Sequence, residues 1–329
     1  FLNIPFNKEF YIEDDMIYAE TQYDFVKIDI SDLSNPILID RLEYAFGSPI
    51  SNNQNEVIVG FNYSITTETF KINSPEEKAL RNEKVLYYDY SDNTIPMSSV
   101  PSSFTNTSRD IKGTLNKIAI SNDHIYVIGN NKLFTFHNTT NQLSKIDMLN
   151  IYSNMETIYP QDDKLFIGTQ NSMIIVDIEN PASPKRESSY FHPTSCDPVL
   201  PKGDVAYLTL RTADFSGCNG DENSLHVIDI SNTDSPTVHE QITMHSPYGM
   251  NIINNYLFVG EGQNGLTIFD ATNPTNLVKV TTKSNLEVYD IMVHPSNPNI
   301  ILTTNENGLA QFEINFNTLD ITPLSVVNY

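Results

Sequence analysis

One short phrase recurs along this chain. It is a β-rich core ending in aspartate, followed by a polar turn that usually carries proline. Four copies are clear: Phe25-Val-Lys-Ile-Asp-Ile-Ser-Asp-Leu-Ser-Asn-Pro36, Met173-Ile-Ile-Val-Asp-Ile-Glu-Asn-Pro181, Leu225-His-Val-Ile-Asp-Ile-Ser-Asn-Thr-Asp-Ser-Pro236 and Leu266-Thr-Ile-Phe-Asp-Ala-Thr-Asn-Pro274. Val85-Leu-Tyr-Tyr-Asp-Tyr-Ser-Asp-Asn-Thr-Ile-Pro96 is a degenerate copy, and Lys132–His137 and Gly308–Glu313 are weaker ones without the aspartate. The cores begin near residues 25, 84, 132, 172, 224, 265 and 308. Their spacing lies mostly in the forties, the period of repeating four-stranded blades.

Each core follows a short strand rich in apolar and β-branched residues: Met16–Glu20, Glu56–Phe61, His124–Gly129, Lys164–Thr169, Val205–Arg211, Tyr256–Glu261 and Asn299–Thr304. An earlier strand meets it through an Asn/Asp turn, as in Ser121-Asn-Asp-His124 and Ile253-Asn-Asn-Tyr256, which read as tight hairpins. A fourth strand follows the proline turn, as in Ile37–Glu43 and Thr237–Thr243. No amphipathic helical stretch is longer than Ser74–Glu83. The reading is therefore all-β: one seven-bladed β-propeller of four-stranded antiparallel blades A to D. The blades run about 1–44, 45–106, 112–150, 151–191, 192–244, 245–284 and 285–329. A β-sandwich would not explain an Asp-turn-Pro phrase at fixed offset.

The recurrent Asp29, Asp89, Asp177, Asp229 and Asp270 appear once per blade, which suits a turn-forming carboxylate rather than a catalytic one. The proline fixes φ and keeps the C–D turn out of the ladder.

These residues resemble the LVIVD repeat. A run from Thr194-Ser-Cys-Asp-Pro-Val199 through Pro247-Tyr-Gly-Met250 to Gly265-Leu-Thr-Ile-Phe-Asp270 is similar to the second half of LVIVD-repeat proteins of Bacteroidetes, many of them predicted lipoproteins. The resemblance is good over about 180–320, moderate over 1–60, and only rhythmic over 61–160. It implies a propeller at the cell surface or outer membrane of a Gram-negative bacterium, and no particular activity. A mature lipoprotein would begin with a lipidated cysteine, and none lies near Phe1. Any membrane association is then expected only through a lipid anchor absent from the numbered chain.

Cys196 falls at the start of strand A in the expected fifth blade, and Cys218 in its long B–C loop. Propeller topology puts both on one side of that blade, so a disulfide is expected. It would close a loop worth roughly 3 kcal/mol of chain entropy and point to an oxidising compartment. Free thiols or a metal site are the alternatives, but no Cys-x-x-Cys or His-x-x-x-His accompanies them. The sequons at Asn62, Asn106 and Asn138 carry little weight in an Asn-rich chain.

The formal net charge of −22 disfavours nucleic acid and anionic lipid headgroups, both of which need a basic footprint. No apolar run is long enough to span a membrane as a helix. The chain has no tryptophan, which excludes WD blades, the Asp-box of sialidases and tryptophan-based quinone docking. The seven histidines are scattered, and no serine-nucleophile or phosphate-loop motif occurs. No cofactor or metal is expected.

Insertions at Asn62–Glu83, Thr105–Gly113 and Arg211–Ser224 fall on one side of the expected disc, where strands A start and strands B end. Loop elaboration on one side of a repeat array marks the binding side. Candidate ligand or partner residues there are Asp197, Arg211, Tyr248, Glu261 and Asp290. Arg211 and Asp197 could instead form an internal ion pair, and Tyr248, Met250 and Tyr289 could simply pack between blades. The function expected is non-enzymatic: a protein-interaction subunit whose partners are other outer-membrane or surface proteins. Small-ligand or glycan binding in the central channel is the alternative. Hydrolysis by Asp197, Glu261 and Asp290 ranks third, since glycoside cleavage needs a placed carboxylate pair that nothing here singles out.

Overall fold

The computed structural model describes residues 9–21, 24–46, 50–53, 56–58, 117–195, 198–212, 220, 222–294 and 297–328. The chain divides into two compact units, Phe1–Phe46 with Asp110–Tyr329, and Gly47–Arg109.

The larger unit holds six antiparallel four-stranded sheets, each a simple meander. Blade 1 comprises β1 (Glu9–Glu13), β2 (Met16–Glu20), β3 (Phe25–Asp29) and β4 (Ile37–Leu42). The second unit contributes, among the described residues, a hairpin of β5 (Ile50–Asn53) and β6 (Glu56–Ile58). Blade 2 is β7 (Ile118–Ser121), β8 (His124–Gly129), β9 (Lys132–Asn138) and β10 (Leu143–Asn150). Blade 3 is β11 (Met155–Gln161), β12 (Lys164–Thr169), β13 (Ser172–Asp177) and β14 (Lys185–Phe191). Blade 4 is β15 (Val199–Lys202), β16 (Val205–Leu210), β17 (Ser224–Asp229) and β18 (Thr237–Thr243). Blade 5 is β19 (Met250–Ile253), β20 (Tyr256–Gly260), β21 (Leu266–Asp270) and β22 (Val278–Lys283). Blade 6 is β23 (Asp290–His294), β24 (Asn297–Asn305), β25 (Gly308–Asn315) and β26 (Asp320–Asn328).

The expectation of seven blades is therefore corrected to six. The sheets that the repeat count places first and third are direct neighbours. Tyr18, Phe25, Ala45 and Phe46 form one apolar layer with Ile118, Ile125, Val127, Phe134 and Phe136. Phe25 lies 4.8 Å from Phe136, ring centre to ring centre. Lys145 Nζ also donates to the Ala45 carbonyl at 2.9 Å. Among the described residues, the expected second blade, 45–106, yields only the β5–β6 hairpin. Its degenerate Asp89 repeat and the Ser74–Glu83 stretch lie outside the described residues.

The local chemistry of the blades follows the sequence closely. Asp14, Asn122, Asp123, Asp162, Gly203 and Asn254 take left-handed φ between 50° and 59° in the A–B hairpins, where short polar residues and glycine are the cheapest choices. After strand C, the side chains of Asp29, Asp177, Asp229 and Asp270 each accept from the backbone N–H two residues on, at 2.7–2.9 Å. These are Asx turns, as the recurrent aspartate predicts. Each C–D pairing also shifts register, at Lys27/Ile28, Ile175/Val176, Val227/Ile228 and Ile268/Phe269. A bulge at that place bends strand D away and raises its twist.

Packing repeats as well. Four further apolar layers join blade 2 to 3, 3 to 4, 4 to 5 and 5 to 6. Strand C of blades 3 to 5 is buried on both sides, so each large aliphatic there contributes about 1.5–3 kcal/mol. Hydroxyls add directional contacts between blades. Tyr126 donates to the Pro181 carbonyl at 3.0 Å, Ser188 to Thr233 at 2.5 Å and Tyr207 to Pro274 at 2.9 Å. All three acceptors sit four residues after the turn aspartate. Blade 6 differs: β25 alternates buried and exposed, and Leu309, paired with Val327, faces solvent. No helix among the described residues is long and apolar enough to cross a membrane.

Candidate functional site

The antiparallel meander places strand-A starts, strand-B ends, B–C loops and D–A loops on one side of the blades, and the A–B hairpins and C–D turns on the other. The C–D side is spent on its own turns, since the repeating aspartates are bonded to adjacent backbone. The other side carries the residues that differ from blade to blade.

Arg211 follows β16 and is buried at 4% exposure. Its guanidinium carbon lies 4.1 Å over the Tyr248 ring, a stacked cation–π contact. Tyr248 meets Tyr289 edge-on, with centres 4.8 Å apart. Between the two rings sits Gly262 at φ 57°, where a Cβ would come within 2.8 Å of one ring and 2.9 Å of the other. The backbone fixes this group: Gly249 N–H donates to the Tyr289 carbonyl, and Gly262 and Val288 exchange two bonds. Tyr289 O–H donates to Glu306 Oε1 at 3.1 Å. Burial, together with Glu287 and Glu306, pushes its phenol well above the ordinary range, so it stays protonated and donates.

The other expected residues fare differently. Glu261 is 1% exposed, and its carboxylate accepts from His245 N–H at 2.8 Å and Thr267 Oγ1 at 2.5 Å. It ties the loop after β20 to the strands around it. Asp290 opens β23, half-buried, and accepts from Ile291 N–H at 2.8 Å. Asp197, Cys196 and Cys218 lie outside the described residues. The structure thus gathers Arg211, Tyr248 and Tyr289, and gives Glu261 a structural task. Asn138, the asparagine of the third sequon, uses its side chain within the fold: Nδ2 donates to Tyr18 and Oδ1 accepts from Lys27.

Two polar groupings are not evident from the sequence. At the inner end of blade 1, Glu9 and Glu20 are directly paired across β1 and β2. Burial pushes the Glu9 carboxyl up to about 7; Lys117 opposes this and Glu20 adds to it. Between blades 3 and 4, Tyr190 O–H meets His226 Nδ1 at 3.0 Å, and His226 Nε2 meets Glu222 Oε1 at 2.8 Å. Ser224 donates to the same carboxylate oxygen at 2.6 Å. Burial alone would raise Glu222, but the bonds from Ser224 and His226 win and hold it below the usual carboxylate range. The signal for this second grouping is a histidine inside an otherwise apolar strand C, Leu225-His-Val-Ile-Asp229. Among the described residues, no group of three or more His, Cys, Asp or Glu could hold a metal ion.

The fold and its turns define a β-propeller built from Asp-turn repeats. The LVIVD repeat family matches residues 18–43, 163–191, 218–243 and 249–285. No curated protein sequence matches it. Among solved structures, a protein from Lactobacillus plantarum is similar at a TM-score of 0.61 and 10% identity, covering 95% of this chain and 82% of that one. BamB from Moraxella catarrhalis is similar at 0.51 and 8% identity, covering 92% and 67%. The periplasmic gluconolactonase PpgL of Pseudomonas aeruginosa is similar at 0.52 and 10%, covering 65% and 72%. Identities this low speak for the fold alone, and the last of these neighbours is an enzyme.

Proposed function

We propose that this propeller is a protein-interaction module. On this reading it acts outside the cytoplasm, as a subunit of an outer-membrane or cell-surface assembly, and its partners are other proteins of that surface. The observation that carries the reading is the division of labour between the two sides of the blades. One side is closed by self-bonded turns repeated from blade to blade. The other carries the Arg211–Tyr248–Tyr289 group and Asp290, with Arg and Tyr being residue types that dominate binding energy at interfaces. Phe191 (71% exposed) and Tyr152 (85% exposed) lie at the D–A edges of that same side.

An oxidising compartment is supported by the close approach of segments beside the two cysteines. A Cβ on Gly220 would collide with the Thr194 carbonyl oxygen, so the chain two residues past Cys218 lies against the chain two residues before Cys196. A Cys196–Cys218 disulfide fits that approach. Binding of a small ligand or glycan by the same group is the second reading, favoured by the stacked Arg211 and the edge-on tyrosine pair.

Crosslinking in the native membrane tests the first reading. Wild-type chain is expected to give a defined protein adduct that the exposed-residue double variant Tyr152→Ala/Phe191→Ala weakens at least tenfold while leaving melting behaviour intact. Recovery of uncrosslinked monomer only would overturn it. A glycan array with thermal-shift screening tests the second, and no stabilisation by any ligand would remove it.

A further inference from the structure

We propose that the loop side of blades 2 and 3 carries a binding site for a neutral saccharide. The rings of Tyr152 and Phe191 are its stacking faces, and the asparagine side chains around them are its hydrogen-bonding groups. The site lies on other blades than the Arg211–Tyr248–Tyr289 group and does not depend on which protein docks on that side.

Four short segments build this surface: the B–C turns at 129–132 and 169–172, and the D–A links at 150–154 and 191–195. Every exposed residue in them is uncharged, and five are asparagines, at 130, 131, 150, 154 and 171. Their one lysine, Lys132, is half-buried. The B–C turns of blades 1, 5 and 6 carry Asp24, Glu261 and Glu306 instead. In a chain of net charge −22, an exposed surface without carboxylates stands out. It offers nothing to a cationic ligand, and no exposed cation to an anionic one. An amide presents both an N–H donor and a carbonyl acceptor, which matches a hydroxyl that also does both. A purely apolar ligand would cover these amides and leave them unpaired. A ligand with many hydroxyls, apolar C–H faces and no charge satisfies both the amides and the rings.

Backbone bonds tie the segments together. Ile151 and Tyr152 N–H both donate to the Asn131 carbonyl, at 2.9 and 3.4 Å. Gln170 N–H donates to the Asn154 carbonyl at 3.3 Å, and His192 N–H to the Asn171 carbonyl at 3.1 Å. Asn130 and Asn131 take left-handed φ of 52° and 59°, which asparagine tolerates. Tyr152 takes the same conformation at φ 58°, where a bulky residue is an outlier, and it is 85% exposed. Packing within the fold therefore does not account for an aromatic residue there. Phe191 stands exposed at the corresponding link one blade on. Rings already ordered in solvent lose little freedom when a sugar face stacks on them.

Titration of the full chain with uncharged hexose and N-acetylhexosamine oligomers, beside an acidic polyuronate and a basic chitosan oligomer, tests this. Tyrosine fluorescence reads binding, since the chain has no tryptophan. At least one neutral oligomer is expected to bind, with an affinity that salt does not change. Tyr152→Ala and Phe191→Ala should each lower that affinity by about tenfold or more. Tyr152→Gly, which suits the left-handed φ, should bind as weakly as Tyr152→Ala while melting no lower than wild type. Phe10→Ala, an exposed apolar residue of β1, should bind as wild type does. Hydrogen exchange should show new protection at 129–132, 150–154 and 169–172 on binding. No binding by any neutral oligomer, tighter binding of either charged one, protection at 248–262 instead, or full affinity in Tyr152→Ala would each overturn the site. A protein adduct lost in the Tyr152→Ala/Phe191→Ala double variant, without saccharide binding by wild type, would leave the protein-partner reading standing and remove this one.

Discussion

Lys27 Nζ donates to Asn138 Oδ1 at 2.8 Å, across 111 residues of chain. The same ammonium donates to the Thr139 carbonyl at 2.8 Å and lies 5.5 Å from the centre of the Tyr18 ring. Lys27 is 3% exposed and occupies a strand-C position that other repeats fill with isoleucine or valine. Its burial is tolerated because blade 2 supplies acceptors from the end of strand C. The pair thus joins the first and second blades directly, which is what rules out an intervening sheet.

Removing this amine leaves two part-buried acceptors without their donor. Lys27→Ala is expected to cost about 2–4 kcal/mol. Asn138→Ala should cost about 1–3 kcal/mol, and the double variant less than the sum, because the residues share one interaction. Denaturant unfolding of the four proteins measures the coupling, and strict additivity would contradict the contact.

The hydroxyl contacts between blades give a second, local prediction. Tyr126→Phe and Tyr207→Phe keep the packed rings but leave the carbonyls of Pro181 and Pro274 without that donor. Each is expected to lose about 1–2 kcal/mol. The two lie at different interfaces, so their effects should add within about 0.5 kcal/mol. Thermal and urea unfolding of the single and double variants checks this.

Gly262 tests the aromatic group at the candidate site. Its left-handed φ, and the two rings that would lie under 3 Å from an added methyl, make Gly262→Ala costly on both counts. A loss of at least about 2 kcal/mol is expected. The tyrosine near-ultraviolet circular dichroism should change with it, since Tyr248 and Tyr289 have to separate. A variant as stable as wild type would mean that the rings do not close on this glycine.

Glu9 predicts a pH dependence with a defined sign. Its folded-state pKa of about 7 lies above the unfolded value of 4.5, so the fold favours the protonated acid. Stability falls as pH rises from 4.5 to 7, and the penalty is fully present above that window. Glu9→Gln should therefore stabilise the protein by about 2–3 kcal/mol above neutrality and by nothing below the unfolded pKa. Unfolding free energies at the two ends of the window decide it; equal gains at both ends would point to a cause other than titration.

How much of the molecule is legible in its sequence depends on the range of the interaction. The Asp29, Asp177, Asp229 and Asp270 turns, the Asn/Asp hairpins and the strand cores are readable because each is a contact within a few residues, written by residue type and offset. The candidate site is only half readable. Sequence reasoning puts Arg211 and Tyr248 on one side of the blades, but not in a stack. Glu261 reads as a ligand-facing acid and is an internal anchor, because its partner Thr267 comes from the neighbouring strand. Lys27 and His226 are visible as polar residues in apolar strands, yet nothing in their own segments names Asn138 or Tyr190.

The sequence by itself therefore determined the repeating unit: an all-β chain of meandering four-stranded blades, each closed by a turn that an aspartate caps in the clear repeats. Its local periodicities and turn residues leave no other period for the strands. Only the tertiary structure decided which blades are neighbours and how many there are. Blade count is a property of packing between sheets distant in sequence, and a repeat counted along the chain carries no term for the apolar layer that Phe25 and Phe46 share with Phe134 and Phe136.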